Sequence, residues 1–286
     1  MSKAPKGPGH TRPPHPAPAQ PAPAQPPAQP APAQPPAQPA PAQPLAQPAS
    51  AQLPAGLALS WGVYPVQRRG PKPALTVDQI IAAGIEFGDS QGFDAISLQK
   101  IAAHLGVSTN AMYRYVSSKD ELIVLVADKA WGRAPDHILR TTGWREGSRA
   151  WVKAQIDRYA ERPWLLQVPI RGAPVTPNLL HWLETLLRVL DDTGLSQHDM
   201  LGCAVLFDGH VRSYANLFHQ LAASDSTPVE TQAVGEFLVP RLMSAGYDKI
   251  LSLYTNHEYE DTVDDDLDFG LDTILDGIQA LIDRHP

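Results

Sequence analysis

The chain of 286 residues holds one cysteine, Cys203, which excludes an internal disulfide and leaves too few thiolates for a zinc site. A small core position on a helix is the expected place for it. Apolar runs of membrane length are missing, and so is a charged, apolar, cleavable N-terminus, so the chain is expected in the cytoplasm with no membrane partner. No paired acid motif, phosphate loop or HExxH-like helix occurs, which argues against an enzyme and gives no reason to expect a cofactor or metal. Asp and Glu are absent from the first 65 positions.

What fills those positions is mostly proline, alanine and glutamine, with PAQP recurring over residues 13–54. Such a sequence removes backbone donors, favours polyproline II and offers little to bury, so residues 1–65 are expected to form a disordered tail. Its prolines lack the basic flanks of an SH3-type ligand, which favours a spacer. The globular part then starts near Leu75 and is long enough for a small head and a larger body.

The formal charge of −7 is unevenly spread: residues 1–65, 66–133 and 134–286 carry +3, +1 and −11. Acid collects in the body, while Arg68, Arg69 and Lys72 cluster just ahead of the head. That asymmetry fits a polyanion bound at one end only.

Helices in the head can be placed by their caps. Thr76-Val-Asp-Gln79 is a capping box that opens a helix over about 76–90, with Ile80, Ile81, Ala83, Gly84, Ile85 and Phe87 on one face and Gly92 as its stop. Ser97 caps a second helix whose inner side is Leu98, Ile101, Ala102 and Leu105, and Gly106 supplies the left-handed residue of a tight turn. Ser108 then caps a third, from Thr109 to Tyr115, with Ala111 and Met112 inward. Thr109, Asn110, Tyr113, Arg114 and Tyr115 are left outside, a polar and aromatic surface without carboxylates.

A recognition helix offers its N-terminal residues to base edges in the major groove. Thr109, Asn110 and Arg114 are the base-reading candidates. Ser108, Tyr113, Tyr115 and Lys119 suit phosphate oxygens, with Ser97 at the head of the preceding helix as a further contact, although Tyr115 can equally pack on the head. Arg68 and Arg69, in the run QRRGPKP, form an arm for the backbone or minor groove, or a solubilising linker.

The run LTVDQIIAAGIEFGDSQGFDAISLQKIAAHLGVSTNAMYRYVSSKDELI resembles the N-terminal DNA-binding domain of the TetR family of bacterial transcriptional regulators, with GVS, MYRYV and SSKDEL each at the expected distance. The resemblance implies that Thr109, Asn110, Tyr113 and Tyr115 face DNA and that Lys119 touches a phosphate. Tyr115 stands where a histidine is common in the family. The segments WREGSRAWVKAQIDRYAERPWLLQVPI and FGLDTILDGIQALI resemble, less closely, the ligand-binding domain of such regulators. Ligand-released repression is what the family likeness implies.

The body reads as further helices. Trp144, Trp151 and Tyr159 mark an apolar stripe with Ala154 and Ile156 that Pro163 closes. Thr176-Pro177 starts a leucine-rich helix ending at Gly194, and Ser196 caps another reaching Ala223 that is apolar on nearly every side and so must be covered all round. Thr227-Pro228-Val229-Glu230 opens a further helix, and residues 258–268 form an acidic connection expected to be mobile. The last helix carries Leu267, Leu271, Ile274, Leu275, Ile278, Leu281 and Ile282, so two such helices from each of two copies can form a four-helix bundle.

The expected fold is therefore all-α: a tail (1–65), a helix-turn-helix head with its basic arm (66–133) and a helical effector-binding and dimerisation body (134–286). The expected function is that of a homodimeric repressor of a palindromic double-stranded operator, released by a small apolar or amphipathic effector. A ligand-responsive activator, an all-helical enzyme and a protein-interaction module are the alternatives. Trp164, Trp182, Phe207, Tyr214 and Phe218 are the expected walls of the effector pocket, with Arg171, Asp208, His210 and His219 as polar fixtures. Asp208 and His210, two apart on a helix, face different ways and do not make a metal site. His181 and His198 are expected on the surface.

Overall fold

A computed structural model describes residues 53–64, 75–223, 231–255 and 263–284. The described part is helical, without strands. Its helices are α1 (Leu57–Ser60), α2 (Val77–Gln91), α3 (Leu98–His104), α4 (Thr109–Met112), α5 (Lys119–Trp131), α6 (Gly143–Glu161), α7 (Pro177–Leu190), α8 (Gln197–Ala223), α9 (Thr231–Ala245), α10 (Asp248–Thr255) and α11 (Val263–Ile282). Among the described residues no helix is long and apolar enough to cross a membrane.

The head is built by its caps. In α2 the Gln79 N–H donates to Thr76 Oγ1 at 3.2 Å and the Thr76 N–H to Gln79 Oε1 at 2.9 Å, the two halves of the capping box. Ser97, Ser108 and Ser118 hydroxyls accept from the backbone N–H of Lys100, Ala111 and Glu121, at 3.2, 3.2 and 3.1 Å. Between α3 and α4, Gly106 takes φ 68°, a conformation that costs other residues a steric clash, and the Val107 N–H returns to Ala102 O at 3.0 Å. Ile80, Ile96, Ile101, Met112, Val116 and Leu122 are fully buried beneath this framework.

Residues 53–64 correct the expected boundary of the tail. They are folded: α1 packs on α5 through buried Leu59, and the Trp61 indole donates to Val175 O at 2.9 Å in the loop before α7. Leu59, with half-buried Leu57 beside it, gives this short piece something to bury that the repeats before it lack, while Trp61 stays exposed and is held through its N–H. The expected acidic connection is also shorter, since α11 starts at Val263 and takes in residues 263–268. Acidic residue types are favoured in such a first turn by the helix dipole. The tail through residue 52, Arg68, Arg69, Lys72 and the Thr227–Glu230 helix start lie outside the described residues.

In the body, α6 packs on α7 and α8, and α11 on α8. The buried side of α6 keeps Trp151 and Tyr159 of the expected stripe and adds Gly147, Ser148, Val152 and Gln155, while Trp144, Ala154 and Ile156 are partly buried against the core. Arg145 and Arg149 of α6 pair with Asp276 and Asp272 of α11. Cys203 is buried in α8, where removal from water raises its thiol pKa. Within one chain α8 is not covered all round: Leu201, Val205, Leu206, Leu217, Phe218 and Leu221 are exposed, Val205 at 73%.

Candidate nucleic-acid interface

The surface that can meet a duplex is the short α4 and the turn after it. Regular α-helix stops at Met112, shorter than expected, and the chain continues in tight turns, with the Arg114 N–H on Ala111 O at 3.3 Å and the Tyr115 N–H on Met112 O at 2.9 Å. Met112 and Val116, fully buried, fix this ridge to the head core. Ser108, Asn110, Tyr113 and Arg114 are exposed, and Thr109 is half-buried. Tyr115 is half-buried and packs against the core. Among its alternatives, the packed position is the one this residue takes.

Lys119 is exposed and is the first residue of α5, whose N-terminus adds its own partial positive charge. Ser97 and Ser108 already accept backbone N–H bonds as caps, yet each hydroxyl keeps a hydrogen to donate to a phosphate oxygen. Glu121 reaches back to accept from the Ser117 N–H and hydroxyl at 2.5 and 2.6 Å, but the residues from Ser108 to Lys119 carry no carboxylate of their own. Asp120, the next residue, is held by Arg171 through two bonds of 3.1 and 2.9 Å.

The head is fastened to the body at several points. Gly88 of α2 lies so close to Trp164 that an added Cβ would stand 2.7 Å from the indole, and Trp164 Nε1 donates to Asp89 at 2.7 Å. Near the other end of α5, the buried Asp128 carboxylate accepts from the Asn178 and Leu179 backbone N–H groups at 3.0 and 3.3 Å and from Asn178 Nδ2 at 2.8 Å. Trp182 Nε1 donates to Gly132 O at 3.0 Å, and the Ala134 N–H to His181 Nδ1 at 3.2 Å. Rather than lying on the surface as expected, His181 is half-buried, whereas His198 is exposed. Burial first, then the Arg133 guanidinium, lower the His181 pKa. Asp128 escapes sequence reading because its partners lie 50 residues away.

The residues expected to line one pocket are dispersed. Trp164 belongs to the joint with the head, and Arg171 is a surface partner of Asp120. Trp182 and Phe207 are core residues, Phe207 with no exposure. His210, near Asp208 but turned towards α11, bonds Leu267 O at 3.2 Å, while Asp208 pairs with Arg212. Tyr214 and Phe218 stack on each other at 6.2 Å, with Phe218 exposed and His219 half-buried beside it. Instead, the body closes around Trp131, Trp151, Tyr159, Trp182 and Phe207, whose ring centroids lie 5.1 to 6.3 Å apart. The signal for that cluster was Gln155, a polar residue one turn from both Trp151 and Tyr159 on the buried side of α6.

Comparison with known proteins finds matching models of two domain families. Residues 80–126 match "Bacterial regulatory proteins, tetR family", and residues 139–282 match "Tetracyclin repressor-like, C-terminal domain". The HTH-type transcriptional repressor DrrR1 of Streptomyces coeruleorubidus is 31% identical over 235 residues, covering 79% of this chain and 85% of that protein. The HTH-type transcriptional repressor Rv1353c of Mycobacterium tuberculosis is 23% identical over 227 residues, 76% of this chain and 85% of the relative. Apo ActR from Streptomyces coelicolor superimposes with a TM-score of 0.61 at 21% identity, over 75% of this chain and 100% of its own. ActR in complex with actinorhodin gives 0.58 at 21% identity, over 74% and 99%.

Proposed function

From the premise that this chain belongs to the TetR family of bacterial regulatory proteins, we propose that it is a homodimeric repressor that reads a palindromic operator and lets go when a small molecule enters its body. It is a DNA-binding transcription regulator, not an enzyme. The observation that carries the DNA contact is the exposed, carboxylate-free ridge from Ser108 to Arg114 standing beside Lys119. Thr109, Asn110 and Arg114 read base edges in this account. Ser97, Ser108, Tyr113 and Lys119 hold phosphates, with Arg68 and Arg69 following as the arm and Tyr115 propping the ridge from behind.

A second copy is what α8 and α11 lack. They pack on each other yet leave Leu201, Val205 and Leu206 of α8 and Phe269 of α11 in water, Phe269 at 76% exposure. Contiguous apolar surface of that kind marks an interface, and a twofold bundle of two helices from each copy buries it. The twofold sets two α4 ridges about 34 to 36 Å apart, one turn of duplex, hence a palindrome. Acting on the chromosome, such a protein works in the cytoplasm.

Repression is supported by the repressor named among the relatives, and a small-molecule effector by the structure of ActR with actinorhodin. The link between effector and DNA is α5. Its first residue is Lys119, and Asp128 and Gly132 tie its far end to α7. A ligand that binds better when α7 is displaced weakens DNA binding by the difference between its two affinities, about 1 to 3 kcal/mol in typical cases. The test is a gel shift with duplex DNA from upstream of this gene at several salt concentrations. A shift that weakens as salt rises is expected; an unshifted duplex at micromolar protein would overturn the reading.

A further inference from the structure

We infer that Arg171, in the body, is a positioning residue for DNA binding: its guanidinium masks the Asp120 carboxylate beside Lys119, so that the start of α5 can approach a phosphate. This rests on the reading of Lys119 as a phosphate contact. The start of α5 has two conflicting tasks. Its free N–H groups favour acid in the first turn, and Asp120 and Glu121 stand there. A phosphate that meets the same turn is repelled by both. Lys119, Asp120 and Glu121 bring one positive and two negative charges, a net of −1.

The two carboxylates are occupied by different means. Glu121 turns back within the head to the neutral donors of Ser117. Asp120 takes a full positive charge: Arg171 Nη1 and Nη2 donate to its two oxygens at 3.1 and 2.9 Å, a two-pronged pairing that fixes the guanidinium in place. With Arg171 the charges of the turn sum to zero. A phosphate then meets Lys119 and the positive end of the α5 dipole without a net opposing charge.

Stability does not explain the pair. The Arg171 and Asp120 side chains are 59% and 50% exposed, and ion pairs so open to water contribute little to folding. Yet the loop that delivers Arg171 is closely shaped. Pro169 and Pro174 restrict the chain on either side, and between them Gly172 takes φ 129°, which residues with a side chain rarely adopt. Farther along, the Trp61 indole holds Val175 O at 2.9 Å and Asp128 holds the Asn178 N–H at 3.0 Å, which pins the loop to α1 and to α5. Because Arg171 belongs to the body and Lys119 to the head, displacing one from the other uncovers the Asp120 charge next to Lys119. The body then weakens the phosphate contact by charge, with no atom of Arg171 on the DNA.

Phosphate contacts carry no sequence information, so the test needs no operator. A labelled duplex of arbitrary sequence is titrated at low salt, by fluorescence anisotropy, with full-length wild type, Arg171→Ala, Asp120→Asn and the double variant. Affinity should follow charge: Asp120→Asn tightest, wild type and the double variant alike, and Arg171→Ala about threefold or more below wild type. Added salt should narrow the spread, since screening acts over about 10 Å at 0.1 M. Melting temperatures close to wild type are expected for all, because the pair is exposed. If Asp120→Asn weakens binding as Arg171→Ala does, the pair only holds shape and the masking role is overturned. A double variant as weak as Arg171→Ala, with a salt slope smaller by about one, makes Arg171 itself a phosphate contact and also overturns it. No binding by wild type defeats the reading of this surface as a DNA interface and the inference with it, whereas binding of equal strength by all four proteins defeats the role of Arg171 alone.

Discussion

The head helices and the first two long helices of the body start by different means, whereas α8 keeps the local device, with the Ser196 hydroxyl accepting from the Asp199 N–H at 3.1 Å. In the head, α2, α3, α4 and α5 each begin at a Thr or Ser whose hydroxyl accepts a backbone N–H three residues on. In the body, Thr142 and Thr176 stand in the same positions before α6 and α7 and make no such bond. The free N–H groups of α7 are satisfied by Asp128, contributed by α5, while Thr176 Oγ1 is buried without a partner. A local cap fixes a helix regardless of its surroundings. A cap borrowed from another helix fixes one helix relative to the other, which is what the proposed coupling of body to head requires.

The comparison can be broken first where it is starkest. Phe207→Ala in the core of the body should cost about 3 to 5 kcal/mol by thermal or urea denaturation, since a fully buried ring leaves a cavity; a loss below about 1 kcal/mol would return Phe207 to an open pocket wall. Removing residues 1–60 should lower stability by about 1.5 to 3 kcal/mol, through loss of buried Leu59, whereas removing residues 1–52 should leave the melting temperature where it is. Equal behaviour of the two truncations would detach α1 from the fold.

On the head, Arg114→Ala should weaken operator binding by about 1 to 3 kcal/mol with unchanged melting temperature and relaxed sequence preference. Uniform weakening on every duplex would make Arg114 a phosphate contact. Lys119→Ala should weaken all duplexes alike and reduce the salt slope by about one; an unchanged slope removes Lys119 from the interface. The smallest effect belongs to the joint. Because the folded pKa of His181 lies below its ordinary 6.5, its neutral form stabilises the fold in full above pH 6.5, and that contribution drains away as pH falls to the depressed value. Melting of His181→Gln should therefore fall less than wild type between pH 7.5 and 5.5; parallel curves would assign the pH dependence elsewhere.

The legibility of the two regions follows the same divide. Capping boxes, the Gly106 turn and the inward Met112 are relations over three or four residues, so the head could be read down to which side of α4 faces out. In the body the helices were legible from periodicity, but their neighbours were not. Phe207 and Phe218 are alike in sequence, yet one is fully buried and the other exposed. The difference is which helix lies opposite. Gln155 and Ser148 are polar yet buried, and they widen the buried side of α6 beyond the apolar stripe that periodicity marks.

The amino-acid order alone set the all-helical class, the caps and turn of the head and the exposed ridge from Ser108 to Arg114, because those depend on contacts within a few residues. Only the tertiary structure decided that Leu57 to Ser60 join the fold, that Asp128 caps a helix begun 50 residues later, and that Gln155 is buried beside Tyr159 on one side of α6. Each of these depends on which surfaces meet across the chain, and pairing of distant surfaces is a property of the packed core as a whole rather than of any segment within it.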